Sequence, residues 1–464
     1  RELLILPELE PKTRNKMMHD TLILCCHEGV KETKQAFGNL FSQVDYLCKA
    51  HGIKVADKIA IQTMRRHSNS QEPLSSEDLK YDARALAIFI SAVFGVDVPH
   101  ELNVLIPHAN RPYQKGLEIN NRRIRCIVKN WDSDFIRVDI DQDADEEEYL
   151  VQLKDEENHI DHTYLWDILK EGMQLNLLDC QVKQPVITPR LIVVEPDYLV
   201  DISSIATCFT AFGHHPLLYL LNQMKPRANT QATLLGNFAG AALDDIINTN
   251  GKYQMNETIK TNFREKALEF CTCPWFDAKK FYTDANQQAF NLQQVVDILF
   301  PRTASQAQMS AFRGESLYDR KKAILEPSFV CEALGIQGRV DLMTTDCKLL
   351  VEQKSGRNMN IETHQVDPGY HSYQLEPHYV QLLLYYGVLQ HNFKLSNDRV
   401  NIRLLYSKYQ PQDGLMVVAY YHKLFQEAIT YRNQLVAASF EIAKEGFEHA
   451  LNEFTPDVLN VAGT

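Results

Sequence analysis

Two short apolar segments near residue 350 carry charged side chains where a buried strand normally has none. Residues 338–343 contain Asp341, and residues 349–354 contain Glu352 followed two positions later by Lys354. Such charges need a reason, because a buried charge without a partner is very costly. Since side chains alternate between the two faces of a strand, Glu352 and Lys354 are predicted to share one face.

The spacing of the two segments predicts that they pair as a hairpin. A tight turn at Thr345 and Asp346 would place Asp341 opposite Leu350. That register puts Asp341 on the same face as Glu352, whereas a slip of one residue would send it to the other face. We therefore expect two carboxylates and one ammonium group to form a cluster, with an ordinary solvated hairpin as the alternative.

A cluster of this composition is typical of one kind of chemistry. Two carboxylates with open coordination positions suit Mg²⁺ or Mn²⁺, which prefer oxygen ligands and keep several waters. A lysine beside such a metal can orient an attacking water and offset charge on a phosphorane. The residues thus indicate metal-assisted hydrolysis of a phosphodiester.

Three motifs follow one another in the order that a known family uses. They are Gly-Ile-Gln-Gly-Arg-Val-Asp at 335–341, Glu-Gln-Lys-Ser-Gly at 352–356, and a helix containing Gln381 and Tyr385. This order resembles the PD-(D/E)xK nuclease superfamily, and most closely its RecB-type branch, which includes the nuclease region of the Okazaki-flap helicase-nuclease. The resemblance covers roughly residues 198–430.

The resemblance implies an α/β fold with a restriction-endonuclease-like core, in which helices flank a mixed central sheet. It implies that Asp341 and Glu352 ligate Mg²⁺ or Mn²⁺, with the carbonyl of Gln353 or the backbone of Val351 filling a further position. Lys354 would position the nucleophilic water. Gln381 and Tyr385 would hold the lysine or a substrate phosphate. Arg339 would contact DNA.

One position departs from the family pattern. The RecB-type branch usually has a helix reading Gly-x-x-x-His, whose histidine is a metal ligand, and this chain has Gly236 followed by Gly240 instead. Asp244 and Asp245 come one turn later, and either they substitute for the histidine or they face solvent or a neighbouring helix. The missing nitrogen ligand predicts a weak, oxygen-dominated metal site.

The chain of 464 residues is long enough for two or three domains. Helical periodicity predicts an N-terminal helical domain over 1–115. Five runs of period two predict a small, OB-like β-barrel over 116–197, with one strand spanning 174–182. The nuclease domain is predicted over 198–464, with a helical insert near 257–306.

Charge and cysteine content restrict the partners. A net charge of −12 argues against a broad basic DNA-binding face, so the candidate DNA contacts of the barrel are local: Arg122, Arg123 and Arg125. The alternative for these arginines is the solvated face of a basic strand. Flap-nuclease relatives often hold an iron–sulfur cluster with three cysteines after the glutamine motif. No cysteine follows Cys347, so no cluster of that layout is expected. No apolar run is long enough for a membrane, and reduced thiols favour a cytoplasmic protein.

These observations predict a divalent-metal-dependent DNA nuclease that acts on single-stranded or flapped DNA in repair or replication. A helicase region, in the same chain or in a separate subunit, is the partner that the resemblance implies. The alternative is a nuclease fold that has lost catalysis and serves as a DNA-binding or subunit-docking scaffold. The presence of both carboxylates and the lysine favours catalysis.

Overall fold

The computed structural model describes residues 2–5, 9–33, 35–70, 73–111, 122–141, 148–210, 213–226, 229–249, 252–366, 372–395 and 400–452. The chain is a mixed α/β protein, about half helical with several mixed sheets. It separates into two compact units. The first unit comprises residues 1–198 and 436–450, and the second unit comprises residues 199–435 and 451–464.

The helices of the first unit enclose an apolar core that contains Leu22, Val44, Ile61 and Phe89. Ser75 is the N-cap of the helix over Ser76–Phe94, because its side chain and that of Asp78 form a reciprocal capping box. The helices are α1 (Glu2–Ile5), α2 (Pro11–Gly29), α3 (Leu40–Ala50), α4 (Val55–Asn69), α5 (Ser76–Phe94) and α6 (His100–Asn103).

The strands of the first unit are β1 (Arg123–Trp131), β2 (Phe135–Ile140), β3 (Tyr149–Gln152), β4 (Lys154–Asp155), β5 (Ile160–Asp161), β6 (Gln174–Leu178), β7 (Gln181–Lys183), β8 (Val186–Thr188) and β9 (Leu191–Val194). Seven of them form one sheet in the order β7-β8-β3-β2-β1-β6-β9, and β4 pairs with β5. The prediction of a single strand over 174–182 is wrong. Asp179 has φ +50°, a left-handed conformation that aspartate tolerates, and it ends β6.

The second unit contains the helices α7 (Ile202–Ala206), α8 (Leu218–Met224), α9 (Gln231–Asn248), α10 (Met255–Glu265), α11 (Ala267–Cys271), α12 (Ala278–Leu299), α13 (Ala304–Phe312), α14 (Met359–Thr363), α15 (Glu376–Phe393) and α16 (Pro411–Gly414). Helix α17 (His422–Glu445) continues from the second unit into the residues assigned to the first, and α18 (Phe447–Asn452) follows. Helices α10 to α13 occupy the region of the predicted insert.

The strands of the second unit are β10 (Val200–Asp201), β11 (Phe209–Thr210), β12 (Gly213–His214), β13 (Ala323–Leu325), β14 (Ser328–Cys331), β15 (Ile336–Arg339), β16 (Leu342–Thr344), β17 (Leu349–Lys354), β18 (Asn401–Tyr406) and β19 (Leu415–Val417). A mixed five-stranded sheet has the order β13-β16-β17-β18-β19, with β17 parallel to β18. A three-stranded sheet has the order β10-β15-β14. Helices α9 and α12 pack on the five-stranded sheet through an apolar cluster that includes Leu342, Leu349 and Val351.

The chain crosses between these two sheets at neighbouring points, which divides strands that the sequence predicted as continuous. Glu326 and Pro327 separate β13 from β14, and Val340 and Asp341 separate β15 from β16. Glu326 has φ +48°, and Pro327 has no N–H to donate to a ladder. The two crossings remain bonded to each other, because the Glu326 N–H donates to the Asp341 carbonyl at 3.0 Å.

His214 ties the β11–β12 hairpin to helices α15 and α17. Its Nε2 contacts Glu376 at 2.6 Å and its Nδ1 contacts Glu427 at 2.7 Å. Hydrogen bonds to these two carboxylates raise the pKa of His214 to about 9. No helix in the described ranges combines the length and apolarity that crossing a bilayer requires.

The charged His214 predicts a pH-dependent contribution to stability. Because the pKa is raised on folding, the contribution is complete below about pH 6.5 and is lost as the pH rises through about 9. We expect His214→Gln to lower the free energy of unfolding by about 1–2 kcal/mol at pH 6, after allowance for solvent screening. Urea unfolding of both proteins at several pH values measures the gap, which should shrink towards pH 10. A gap that does not change with pH would contradict the assigned ion pairs.

Candidate active site

Asp341 lies where the chain passes from the three-stranded sheet to the five-stranded sheet. Its Oδ2 accepts a hydrogen bond of 2.6 Å from the backbone N–H of Gln353 in β17. This bond fixes the carboxylate beside the strand that carries the other two charges. The other carboxylate oxygen of Asp341, Oδ1, takes no part in that hydrogen bond.

Glu352, Lys354 and Gln381 form one hydrogen-bonded group. The ammonium Nζ of Lys354 donates to Glu352 Oε1 at 2.8 Å and to Gln381 Oε1 at 2.9 Å, and Gln381 Nε2 donates to the same Glu352 oxygen at 2.6 Å. Glu352 is only 2% exposed, and its other oxygen, Oε2, is buried and accepts no hydrogen bond within the described chain. A buried carboxylate oxygen without a donor has the position that a cation would occupy.

The register of the hairpin differs from the predicted one by two residues. Leu342 pairs with Val351 and Met343 with Leu350, so the next step brings Asp341 level with Glu352 rather than with Leu350. The predicted turn at Thr345 and Asp346 is wrong in length, because residues 345–348 all connect the two strands. A shift of two residues preserves the face, so the expected grouping of the charges stands.

Burial and mutual repulsion set the charge state of the carboxylates. Burial raises the pKa of Glu352 to about 8, with a further increase from the charge of Asp341, against the opposing effect of Lys354. Burial also raises the pKa of Asp341, against the Gln353 hydrogen bond and the charge of Lys354. Two neighbouring carboxylates that both resist ionisation in the absence of a further cation are typical of functional sites.

The hydroxyl of Tyr385 binds the backbone of the first motif, residues 335–341, rather than Lys354. Its hydroxyl donates to the carbonyl of Arg339 at 2.6 Å, one helical turn beyond Gln381 on α15. Gly338 is required for this approach, because a Cβ at that position would lie 2.9 Å from the tyrosine ring. Tyr385 therefore positions the backbone immediately before Asp341.

The side chain of Gln353 points to the opposite face of β17, as period-two alternation requires. Its Nε2 donates to Ser407 Oγ at 2.7 Å, Ser407 Oγ donates to Gln288 Oε1 at 2.6 Å, and Gln288 Nε2 donates to the carbonyl of Ser355 at 3.1 Å. Any contribution of Gln353 to a metal would come from its main chain. Sequence reasoning missed Gln288 and Ser407, since Gln288 is one of several amide side chains along α12 and Ser407 follows the last residue of β18.

Helix α9 presents a row of small and acidic residues beside this group. A Cβ on Gly236 would lie 3.2 Å from Ser355 Oγ, and a Cβ on Gly240 would meet nothing within 4 Å. One turn further, Asp244 is partly buried, and burial together with the charges of Glu326 and Asp341 raises its pKa to about 7. Asp244 thus faces the carboxylates, whereas Asp245 accepts a hydrogen bond from Thr258. Glu326, which sequence reasoning did not consider, forms an ion pair of 2.9 Å with Arg339.

The residues fit a divalent metal that keeps most of its coordination sphere for water and substrate. No three His, Cys, Asp or Glu side chains of the described chain are grouped closely enough to hold a metal by themselves. The donors here are instead the unpartnered Oε2 of Glu352 and a carboxylate oxygen of Asp341. Hard oxygen donors of this kind and number suit Mg²⁺ or Mn²⁺, which bind through one or two carboxylates plus substrate phosphate.

The candidate DNA contacts are located in different parts of the chain. Arg339 belongs to the second unit, and its side chain is 61% exposed. The other three belong to the first unit, where Arg122 is exposed, Arg123 is half-buried and Arg125 is committed to an internal ion pair. The guanidinium of Arg125 forms two parallel bonds of 3.0 and 2.8 Å to Asp197.

The Arg125–Asp197 pair predicts a stability role for this arginine. We expect Arg125→Ala to lower the free energy of unfolding by about 1–3 kcal/mol, because it leaves a half-buried carboxylate without its charged partner. Arg190, an exposed arginine of the same unit, is a suitable comparison, and Arg190→Ala should change stability by about 0.5 kcal/mol or less. Urea denaturation of the two variants measures this difference. Equal stability would show that the ion pair contributes nothing.

No family model matches this sequence, and no curated protein matches it. The functional assignment therefore rests on the motifs and on the geometry of the residues that carry them.

Proposed function

We propose that the second unit is a divalent-metal-dependent nuclease of the PD-(D/E)xK type, with a restriction-endonuclease-like core, and that it hydrolyses single-stranded or flapped DNA. The observation that carries this proposal is the contact of Lys354 and Gln381 with Glu352 Oε1, while Oε2 of the same carboxylate has no hydrogen-bond donor within the described residues. One oxygen is held by the protein, and the other is available to a cation.

The side chains have separate tasks in hydrolysis. An ammonium group has three hydrogens, and Lys354 uses two of them on Glu352 and Gln381. The third is available to orient a water molecule or to contact a phosphate oxygen. Gln381 fixes both partners, so the lysine reaches the substrate with little rotational freedom. Attack of the water oxygen on phosphorus breaks one ester bond and releases a hydroxyl end.

Asp341 and Glu352 would hold the metal ion. Bound Mg²⁺ or Mn²⁺ would stabilise negative charge on the phosphoryl oxygens and lower the pKa of a coordinated water. Without that charge, burial of the two carboxylates favours their protonated forms. Metal binding and ionisation of the pair are therefore coupled, and chelation of the metal should remove activity.

A scaffold without catalysis is the competing proposal, and Gly240 favours it, because the family histidine is missing there. Against it, both acids are present together with the lysine and the glutamine. Glu352, Lys354 and Gln381 are in direct contact. Selection for docking alone would not maintain a buried charged group, which generally costs stability. A larger helicase-nuclease remains the assembly that we propose for this unit.

Substrate preference gives the direct test of the proposed function. We expect faster cleavage of labelled single-stranded and flapped DNA than of blunt duplex with Mg²⁺ or Mn²⁺, because an acidic protein offers local rather than broad positive charge. Binding should weaken steeply with salt, since each phosphate contact releases counterions. Cleavage of closed circular duplex as fast as single strands would contradict the preference. Absence of cleavage on every substrate would favour the scaffold.

A further inference from the structure

Among the described residues of the second unit, Trp275 is the most exposed large apolar side chain. It is 97% exposed, and it lies in the short connection between α11 and α12. Its backbone has φ +58°, the left-handed region, which costs a residue other than glycine about 1 kcal/mol. A large ring held in solvent at an energetic cost indicates that the position is used.

The connection that carries Trp275 is firmly held on both sides. Phe276 packs into an aromatic cluster, with ring centroids 5.3 Å from Phe270 and 5.5 Å from Phe281. On the other side of the tryptophan, Cys273 is buried. The backbone that carries the indole is therefore fixed, so a ligand that stacks on the ring does not have to order this connection.

Two long helices meet this connection: α9 leads to the candidate active site, and α12 leads to the opposite face of β17, where Gln288 lies. The backbone N–H of Asp277 donates to Gln231, the first residue of α9, at 2.8 Å, and α12 begins one residue later. From Gln231 to Gly236, which adjoins Ser355, α9 rises about 7.5 Å. From Ala278 to Gln288, which also contacts Ser355, α12 rises about 15 Å.

Two exposed lysines follow Trp275 on α12, after Asp277, whose carboxylate accepts the capping hydrogen bond of that helix from the Lys280 backbone N–H. Lys279 and Lys280 lie in the first turn of α12, both are exposed, and neither forms a salt bridge with a described residue. An aromatic ring next to unpaired lysines is the combination with which proteins bind single-stranded nucleic acid, since the ring stacks on a base and the lysines contact phosphates.

We propose that Trp275 is a stacking platform for a base of single-stranded DNA, with Lys279 and Lys280 as its phosphate contacts, and that it holds the strand whose scissile bond lies at Lys354. This deepens the proposed nuclease function and rests on it for the identity of the strand. The exposed Leu268, on the preceding helix α11, offers an apolar alternative: a protein partner would use both side chains, whereas a base needs the ring alone.

Fluorescence tests the stacking without any cleavage. An oligo(dT) strand of about 20 nucleotides is titrated into the protein in the absence of divalent metal, and tryptophan emission is followed together with oligonucleotide anisotropy. We expect saturable quenching in the wild type. Trp275→Phe should keep the affinity within about threefold but lose the quenching, since phenylalanine still stacks. Trp166→Phe, which removes another exposed tryptophan, should keep both.

Affinity measurements separate a base from a protein partner. Trp275→Ala should weaken oligo(dT) binding by about 5- to 100-fold, the usual range for loss of one stacked base. The double variant Lys279→Gln/Lys280→Gln should reduce the salt dependence of binding by about one unit of slope. Leu268→Ser should leave binding unchanged, because a lone aliphatic side chain offers no stacking surface.

The outcomes separate this inference from the nuclease proposal. Unaltered binding in Trp275→Ala, or absence of quenching at saturation, would overturn the stacking role even if Asp341-dependent cleavage is observed. Quenching that requires Trp275 would support the inference even if no metal yields cleavage, and the nuclease proposal would then fail alone. Self-association of the wild type that both Trp275→Ala and Leu268→Ser abolish would assign the surface to protein contact and overturn the inference.

Discussion

Replacing Lys354 with alanine is expected to slow cleavage of single-stranded DNA by a factor of about 10²–10⁴, the usual loss when a positioned proton-transfer or charge-stabilising group is removed. The reason is its place in the structure. The ammonium group is held by Glu352 and Gln381, so it reaches the substrate in one orientation. Single-turnover cleavage with saturating Mn²⁺ measures the chemical step. Asp341→Ala and Glu352→Ala should each abolish cleavage as well.

A matched control is needed because Lys354 also neutralises a buried charge. In Lys354→Ala, Glu352 remains 2% exposed beside Asp341 without its cation, and the variant loses stability or protonates the carboxylate. The double variant Glu352→Gln/Lys354→Met removes both charges and should fold at least as well as the single variant while remaining inactive. Wild-type cleavage by Lys354→Ala, with the fold verified by circular dichroism, would show that the lysine has no role in the reaction.

Restoring a histidine at position 240 is expected to tighten Mn²⁺ binding by about tenfold or more, since even residues that only support a metal ligand are worth 10- to 100-fold in affinity. A side chain at Gly240 meets no atom within 4 Å of its Cβ, and the same helix face carries Gly236 beside Ser355 and Asp244 near Asp341. Imidazole suits Mn²⁺ better than Mg²⁺, so the gain should be larger for Mn²⁺. In the wild type, Mn²⁺ should support more activity than Mg²⁺.

Gly240→Ala is the matched control for the histidine variant. It adds the same Cβ in the same open space without a ligand, and it should raise the free energy of unfolding by about 1 kcal/mol, since glycine is unfavourable in a helix interior. It should leave Mn²⁺ affinity unchanged. If Gly240→His bound Mn²⁺ no better than Gly240→Ala, this face of α9 would not border the metal site.

The grouping of the candidate catalytic residues was predictable from the sequence, because it depends only on which residues alternate onto the same face of a strand. Period-two alternation alone places Glu352 and Lys354 together, and the actual register, two residues away from the predicted one, keeps Asp341 on their side. Glutamine 381 was predictable from its motif. In the structure, its side chain accepts a hydrogen bond from Lys354 and donates one to Glu352.

Features that depend on contacts between distant segments were not predictable. The passage of the chain from one sheet to the other at Asp341 depends on the neighbouring crossing at Glu326 and Pro327, and no local pattern indicates it. Arg125 is paired with Asp197, which lies 72 positions away in the sequence. The residues next to Arg125 in the sequence suggested a solvated basic strand instead. Whether Asp244 lies near the carboxylates or faces solvent depends on the orientation of α9, which the helix pattern alone does not give.

The most direct test of the metal centre is a calorimetric titration of Mn²⁺ into the wild type and into Asp341→Asn, without DNA. Asparagine keeps the size and one oxygen of the side chain but removes its charge, so a difference reports on ligation rather than on folding. We predict saturable binding to the wild type that Asp341→Asn weakens at least about tenfold. Identical isotherms for the two proteins, or no binding to the wild type, would contradict the assignment of Asp341 and Glu352 as metal ligands.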